Sequence, residues 1–211
     1  MKKIALFGAS GQTGQQFLNQ ALDKGYSIKA LVRNVSSISQ NSPYLELIQG
    51  DVLNQSDVES TVESCDMVVS LFGHVKNSPA WLQSDGTANI AMAMEKHKID
   101  KIISLSGGGL PFPEKDQPKF MDYVIRNIMK IVVPKILNDA IKHAEILRNS
   151  GLDWIIVRGP RLTNDAKTGD YKVGWVGVNS SSKIGRADLA DFIISQINDN
   201  TFNYQMPFIS S

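Results

Sequence analysis

The sequence predicts an α/β protein with a doubly wound, mostly parallel sheet, and three observations carry that expectation. Strand-like and helix-like segments alternate through the first two-thirds of the chain. The strand-like runs are short and almost continuously apolar, as strands covered on both faces read. The first of them, Lys-Ile-Ala-Leu-Phe-Gly at residues 3–8, ends in a glycine turn that opens directly into a helical pattern. Parallel strands joined through helices take right-handed crossovers, which puts helices on both faces of the sheet.

Each element has its own signal. From Gln12 to Lys24 the residues Phe17, Leu18, Ala21 and Leu22 recur at helical spacing, and Gly25 stops the helix. Residues 28–32, 44–48 and 66–71 read as the second to fourth strands, with a helix-compatible segment at 55–62. Residues 84–97 are helical, with Ile90, Met94 and alanines on one side, and 101–105 form a fifth strand. A loop with three prolines follows at 110–118. Phe120 to Asn149 is one helical stretch that Pro134 must break or kink, because proline removes a backbone donor. Its apolar stripe, Phe120 to Val133, is expected in the core, at a dimer contact, or with Trp81 at a substrate mouth. Residues 153–157 form a sixth strand, 187–197 a helix and 205–209 a final strand. Residues 160–186 are the least regular and belong over the C-terminal edge of the sheet, where open α/β sheets bind ligands. No linker or repeat interrupts the pattern, so residues 1–211 read as one domain with a 3-2-1-4-5 strand order.

Composition narrows the partners. The chain has 22 Lys+Arg against 21 Asp+Glu, a net charge of +1. That is not the basic excess that nucleic acid or an anionic membrane recruits, so neither is expected. Cys65 is the only cysteine, which rules out an internal disulfide or a thiolate metal cluster and reads as a small buried hydrophobe. No apolar run approaches the roughly 20 residues of a membrane span, and the four apolar residues before Gly8 are too few for a signal peptide. The expectation is a cytoplasmic monomer or homodimer acting on a small molecule, with no metal.

The strongest motif is Gly8-Ala9-Ser10-Gly11-Gln12-Thr13-Gly14, a G-x-x-G-x-x-G spacing between strand and helix. One glycine makes the tight turn, one lets backbone approach a pyrophosphate, and one lets the helix pack close on the strand. Free amides and the positive end of the helix dipole then hold phosphates, and Ser10, Gln12 and Thr13 can add side-chain donors. The expectation is the dinucleotide-binding turn of a Rossmann fold, the alternative being a plain strand-helix turn. An NAD site carries an acid about 20 residues further on to accept from the ribose 2′-hydroxyl. Here Arg33 stands nineteen residues beyond Gly14, and no acid lies between Lys24 and Glu46. A guanidinium grips a 2′-phosphate that a carboxylate would repel, so NADP(H) is expected over NAD(H), the alternative being that Arg33 is a solvated arginine at a strand end. Asp51 either accepts from the adenine amino group, with Val52 lining the base, or caps the next helix. Leu71, Phe72 and Gly73 end the fourth strand and should run beside the ribose and phosphates.

The opposite end lacks the usual acid. Many short-chain dehydrogenases protonate a carbonyl with the tyrosine of a Tyr-x-x-x-Lys pair. Tyrosines 26, 44, 123, 171 and 204 are followed four residues on by Ala30, Ile48, Asn127, Trp175 and Phe208, so the pair is absent. Reduction of a flavin, quinone or extended tetrapyrrole demands less of a proton donor, because the acceptor delocalises charge. Ser104 and Ser106 either face the nicotinamide or cap the strand, and Lys142 either reaches the nicotinamide ribose or is a solvated helix lysine. His143 reads as a packed or surface residue, and His74 as an edge of the pocket.

The glycine motif, Leu31-Val32-Arg33, Gly50-Asp51-Val52-Leu53, Ser150-Gly151-Leu152 and Thr168-Gly169-x-Tyr171 with Asp188-Leu189 carry a family resemblance. The chain resembles the NmrA-like, NAD(P)H-binding, atypical short-chain dehydrogenases, and among them the biliverdin-IXβ reductase and NADPH-flavin reductase family. The resemblance implies that Gly8, Ser10, Gly11, Gln12, Thr13, Gly14, Arg33, Asp51, Val52 and Gly73 contact NADP. It also implies that Ser104, Leu105 and Ser106 flank the nicotinamide, with Pro160 and Arg161 bordering the substrate. That family has histidines where this chain has Ala140 and Arg161, and Met121 to Lys135 reads as an insertion, which points away from biliverdin itself. The expected activity is NADPH-dependent reduction of a planar conjugated acceptor, a flavin or quinone. The alternative is a non-catalytic NADP(H)-sensing protein, as some NmrA-like proteins are.

Overall fold

The computed structural model describes residues 2–211. Its elements in chain order are β1 (Lys3–Phe7), α1 (Gln12–Asp23), β2 (Ser27–Val32), β3 (Leu45–Gln49), α2 (Gln55–Val62), β4 (Met67–Ser70), α3 (Leu82–His97) and β5 (Lys101–Gly107). Then come α4 (Phe120–Val132), α5 (Pro134–Asn149), β6 (Asp153–Gly159), β7 (Arg161–Thr163), β8 (Lys172–Gly174), β9 (Lys183–Gly185), α6 (Arg186–Ser195) and β10 (Phe208–Ser210). Eight strands form one sheet in the order β3-β2-β1-β4-β5-β6-β10-β8. Only the β10–β8 pairing is antiparallel, so the doubly wound, mostly parallel sheet is what forms. The irregular region contributes β8 to that sheet, while β7 and β9 pair separately in parallel.

Side-chain alternation along the strands splits the core in two. In β1, Ile4 and Leu6 pack with Phe17 and Leu18 of α1 and Leu189 and Ile193 of α6. Ala5 and Phe7 point the other way, into Val58 of α2, Ile90 of α3 and Leu147 of α5. Cys65 is buried on that second side with its Sγ 3.4 Å from the Thr61 carbonyl, and burial pushes its thiol pKa up to about 11. No helix among the described residues is long and apolar enough to cross a membrane.

Pro134 divides the long helical stretch into α4 and α5, sitting in the first turn of α5 where its missing N–H costs nothing. The apolar stripe ahead of it departs from the core-packing expectation. No residue of α4 is buried, and Phe120, Ile131 and Val132 are 79%, 82% and 70% exposed. Periodicity gives the stripe's width but not what covers it.

Two carboxylates tie the loops to this frame. Arg158 of β6 is fully buried and meets Asp116 in a bidentate ion pair, Nη1 donating to Oδ2 at 2.8 Å and Nη2 to Oδ1 at 2.7 Å. Its remaining donors reach the Met206 and Leu110 carbonyls, both at 2.8 Å. Asp116 also accepts from the amides of Phe112 and Val176, which pins the proline-bearing loop across β6 and the turn after β8. Asp188 of α6 accepts from the Thr168 amide, the Thr168 hydroxyl and the Gly169 amide at 2.8–2.9 Å. The Thr-Gly and Asp-Leu motifs are therefore one structural clasp.

Candidate functional site

The C-terminal ends of β1 to β6 converge on a cavity of about 650 Å3, within the usual range of small-molecule sites. It lies over the point where strand order reverses between β1 and β4, the ligand position of open α/β sheets.

The floor of the cavity is the turn from β1 to α1. Gly8 has φ +89°, and a Cβ there would stand 2.5 Å from the Phe72 amide nitrogen. A Cβ on Gly14 would stand 2.0 Å from the Gly8 carbonyl oxygen, so α1 can start this close to β1 only with glycine. Gly11 is the N-cap and offers no side chain, and the helix ladder begins with the Gln15 amide donating to the Gly11 carbonyl at 2.8 Å. The first-turn amides of Gln12, Thr13 and Gly14 have no acceptor within the helix, at its positive end. Gly8, Ser10, Gly11, Gln12 and Thr13 line the cavity. Gly14 does not; it lies beneath Gly8, and its role is to seat the helix.

Arg33 and Asp51 stand at one end of this floor. Arg33 follows β2, lines the cavity, is exposed, and makes no ion pair among the described residues. Asp51 and Val52 also line it. Asp51 Oδ1 accepts from the Leu53 amide at 2.9 Å, but the cap of α2 is Asn54, whose Oδ1 accepts from Ser56 at 3.0 Å. The helix-cap alternative for Asp51 is thus taken by its neighbour.

Toward the other end, Leu71, Phe72 and Gly73 line one wall and Leu105 and Ser106 the next. The Ser106 hydroxyl is buried without a partner. Ser104 departs from expectation: it is 1% exposed, does not line the cavity, and its Oγ lies 3.2 Å from His143 Nε2. It shares a strand face with Ser106 but sits one residue pair deeper, where α5 covers it. Pro160 lines the cavity, whereas Arg161 is exposed and outside it; Leu162 and Arg186 are the neighbours that face inward. Lys142 also lies outside, its Nζ 5.1 Å from the centre of the exposed Trp81 ring. Alternation along β7 and the rotation of α5 turn these two cations to solvent.

A buried polar cluster backs this end, and sequence reasoning did not assemble it. Asp139 of α5 is fully buried, with Oδ1 accepting from the Ser84 amide at 2.9 Å. Its Oδ2 accepts from the Gln83 amide at 2.8 Å and lies 2.7 Å from His74 Nε2. Burial raises its pKa, but the donors on Ser84, Gln83 and His74 outweigh that and hold the carboxyl below its ordinary value. His74 lines the cavity. No sequence signal singles out Asp139, one acid on a helix, or Arg186, at the start of another.

One turn along α5, His143 is fully buried between Thr87 Oγ1 (2.8 Å from Nδ1) and Ser104 Oγ. Burial lowers its pKa to about 4, with Asp139 opposing. Above pH 6.5 the imidazole is neutral folded or unfolded. Between pH 6.5 and 4 the unfolded chain takes a proton that the fold refuses, so stability falls as pH falls through that window. The loss attributable to His143 should reach about 3 kcal/mol. Urea unfolding at pH 7 and 4.5 checks this, since His143→Gln should lose correspondingly less than the unmodified protein over the same interval.

A family profile described as NAD(P)H-binding matches residues 8–200. The chain belongs to that NAD(P)H-binding family, and its fold is the Rossmann-like α/β fold shared by the solved structures it superposes on. A structure of a short-chain dehydrogenase/reductase from Veillonella parvula superposes with TM-score 0.83 at 20% identity, over 100% of this chain and 94% of that one. Another structure bearing that description, from the same organism and in complex with NADP, gives 0.79 at 20% identity over the same shares. ChuY, described as an anaerobillin reductase of Escherichia coli, gives 0.79 at 19% identity over 100% and 97%. YwnB of Bacillus subtilis is 22% identical over 92% of both chains. A chloroplastic protein of Arabidopsis thaliana is 26% identical over 80% of this chain, which spans 62% of its length.

Proposed function

We propose that the chain is an NADPH-dependent reductase of a planar conjugated acceptor, of flavin or quinone type. The observation that carries the reading is two anion seats on one cavity: the uncapped start of α1 and the unpaired Arg33 guanidinium. The amides of Gln12 and Thr13 and the hydroxyls of Ser10 and Thr13 would hold the pyrophosphate, and Arg33 the 2′-phosphate. Asp51 would accept from the adenine amino group, and the unpartnered Ser106 hydroxyl fits the carboxamide or ribose of the nicotinamide. Bound there, the coenzyme would supply hydride. No tyrosine lines the cavity among the described residues, which favours an acceptor that spreads its own charge over one that needs a phenol acid.

Calorimetric titration with NADPH and NADH, then NADPH oxidation against flavins, quinones and simple aldehydes, tests the proposal. Tighter binding of NADPH and turnover with flavins or quinones are expected. Turnover confined to aldehydes would overturn the acceptor class. Tight binding with no turnover would favour a sensing role instead.

A further inference from the structure

Resting on that reductase reading, we propose that His74 is the proton donor of the reaction, with Asp139 as its positioning residue. The two histidines around Asp139 differ in a telling way. His143 has both ring nitrogens bonded, to Thr87 and Ser104, and no surface on the cavity. It is a packed histidine in every respect. His74 has only Nε2 committed, 2.7 Å from Asp139 Oδ2, while Nδ1 makes no hydrogen bond among the described residues. Nδ1 is not sealed from solvent, and His74 is one of the residues that line the cavity.

Asp139 is built to hold that ring. Two backbone amides at the start of α3 fix its carboxylate, Ser84 on Oδ1 and Gln83 on the same Oδ2 that meets the imidazole, and its lowered pKa keeps it ionised. A buried carboxylate on one imidazole nitrogen orients the ring and stabilises its cation, so the other nitrogen can carry a proton to a reacting group. Asp139 is the one ionised side chain bonded to His74. The facing part of α3 offers only the amides of Gln83 and Ser84, β5 offers Ser106, and His143 further along α5 is neutral. Lys76, on the same loop as His74, and Arg186 also line the cavity.

The step balances as follows. The acceptor gains a hydride from the reduced nicotinamide at a ring carbon or nitrogen, and its conjugated bonds shift an electron pair onto a terminal oxygen or nitrogen. That atom takes the proton from Nδ1 of the His74 imidazolium. The ring is left neutral, with Nε2–H on Asp139, and regains a proton from water at the cavity mouth. The missing tyrosine acid is thereby replaced from the loop that follows β4.

The test compares two acceptors with NADPH. Menadione, a quinone, needs hydride and a proton; methylene blue, already cationic, needs hydride alone. In His74→Gln the menadione-to-methylene-blue rate ratio should fall about a hundredfold, the low end of general acid catalysis. Nitrogen NMR of the unmodified protein should show His74 as the Nε2–H tautomer when neutral, a preference that Asp139→Asn abolishes. That spectrum requires no turnover and no variant at His74. If the unmodified protein reduces neither acceptor, the reductase reading fails. If it reduces both and the ratio is unchanged in His74→Gln, the reading stands and His74 is not the donor. A neutral His74 protonated on Nδ1 instead would also sink the proposal.

Discussion

Asp116→Ala should lower the free energy of unfolding by about 3–5 kcal/mol, the usual cost of leaving a buried charge without its partner. Arg158 has no route to solvent: it is fully buried, and two of its bonds go to carbonyls that cannot neutralise it. The same substitution frees the amides of Phe112 and Val176, so the loop at 110–118 loses its anchor as well. For a chain of this length the melting temperature should drop by roughly 10 °C. Replacing both partners, Arg158→Met with Asp116→Leu, should cost clearly less than Asp116→Ala alone, because the desolvated charge is gone. Calorimetry on the three proteins checks this. Equal losses in the single and double variants would mean that the loop anchor, not the stranded charge, dominates.

Arg33→Glu should reverse coenzyme preference. The guanidinium lies on the cavity with no carboxylate of its own to satisfy, so its bonds are available to a 2′-phosphate. Losing a charge-assisted bond costs about 1.5–3 kcal/mol, and a carboxylate in its place adds repulsion. Together these predict weakening of NADPH binding by about a thousandfold, while NADH gains an acceptor for its 2′-hydroxyl and binds no worse. Titration of both coenzymes with the unmodified and substituted proteins is the measurement. An unchanged NADPH affinity would move the 2′-phosphate seat elsewhere on the cavity.

The backbone of this protein was readable from its sequence because local signals and tertiary needs agree there. Apolar strand runs, helical spacing, and glycines at 8 and 14 that no other residue can replace all specify the same βα unit. Pro134 marked the break between α4 and α5 for an equally local reason. The end of the cavity that carries the glycine turn, Arg33 and Asp51 follows from chain order alone, since the ends of β1, β2 and β3 must lie together. The opposite side does not. Ser104 and Ser106 are two residues apart on one strand, yet only the covering helix decides which of them meets the cavity. Arg161 turns to solvent and Arg186, which the sequence does not single out, takes a place on the cavity wall; the β7–β9 pairing that arranges this region leaves no periodic trace over three residues each. His74 and Asp139 stand 65 positions apart and meet through the packing of α3 and α5. The outward face of α4 shows the reverse error, an apolar stripe whose spacing is right and whose partner is missing from the core.

The lone thiol gives the molecule a built-in clock. With its pKa near 11 and its sulfur sealed beneath the second side of the sheet, Cys65 is shielded from alkylating reagents while the chain stays folded. Each opening event deep enough to reach it would leave a permanent mark. The pace of labelling at neutral pH would therefore count excursions from the native state, one molecule at a time and without an engineered reporter.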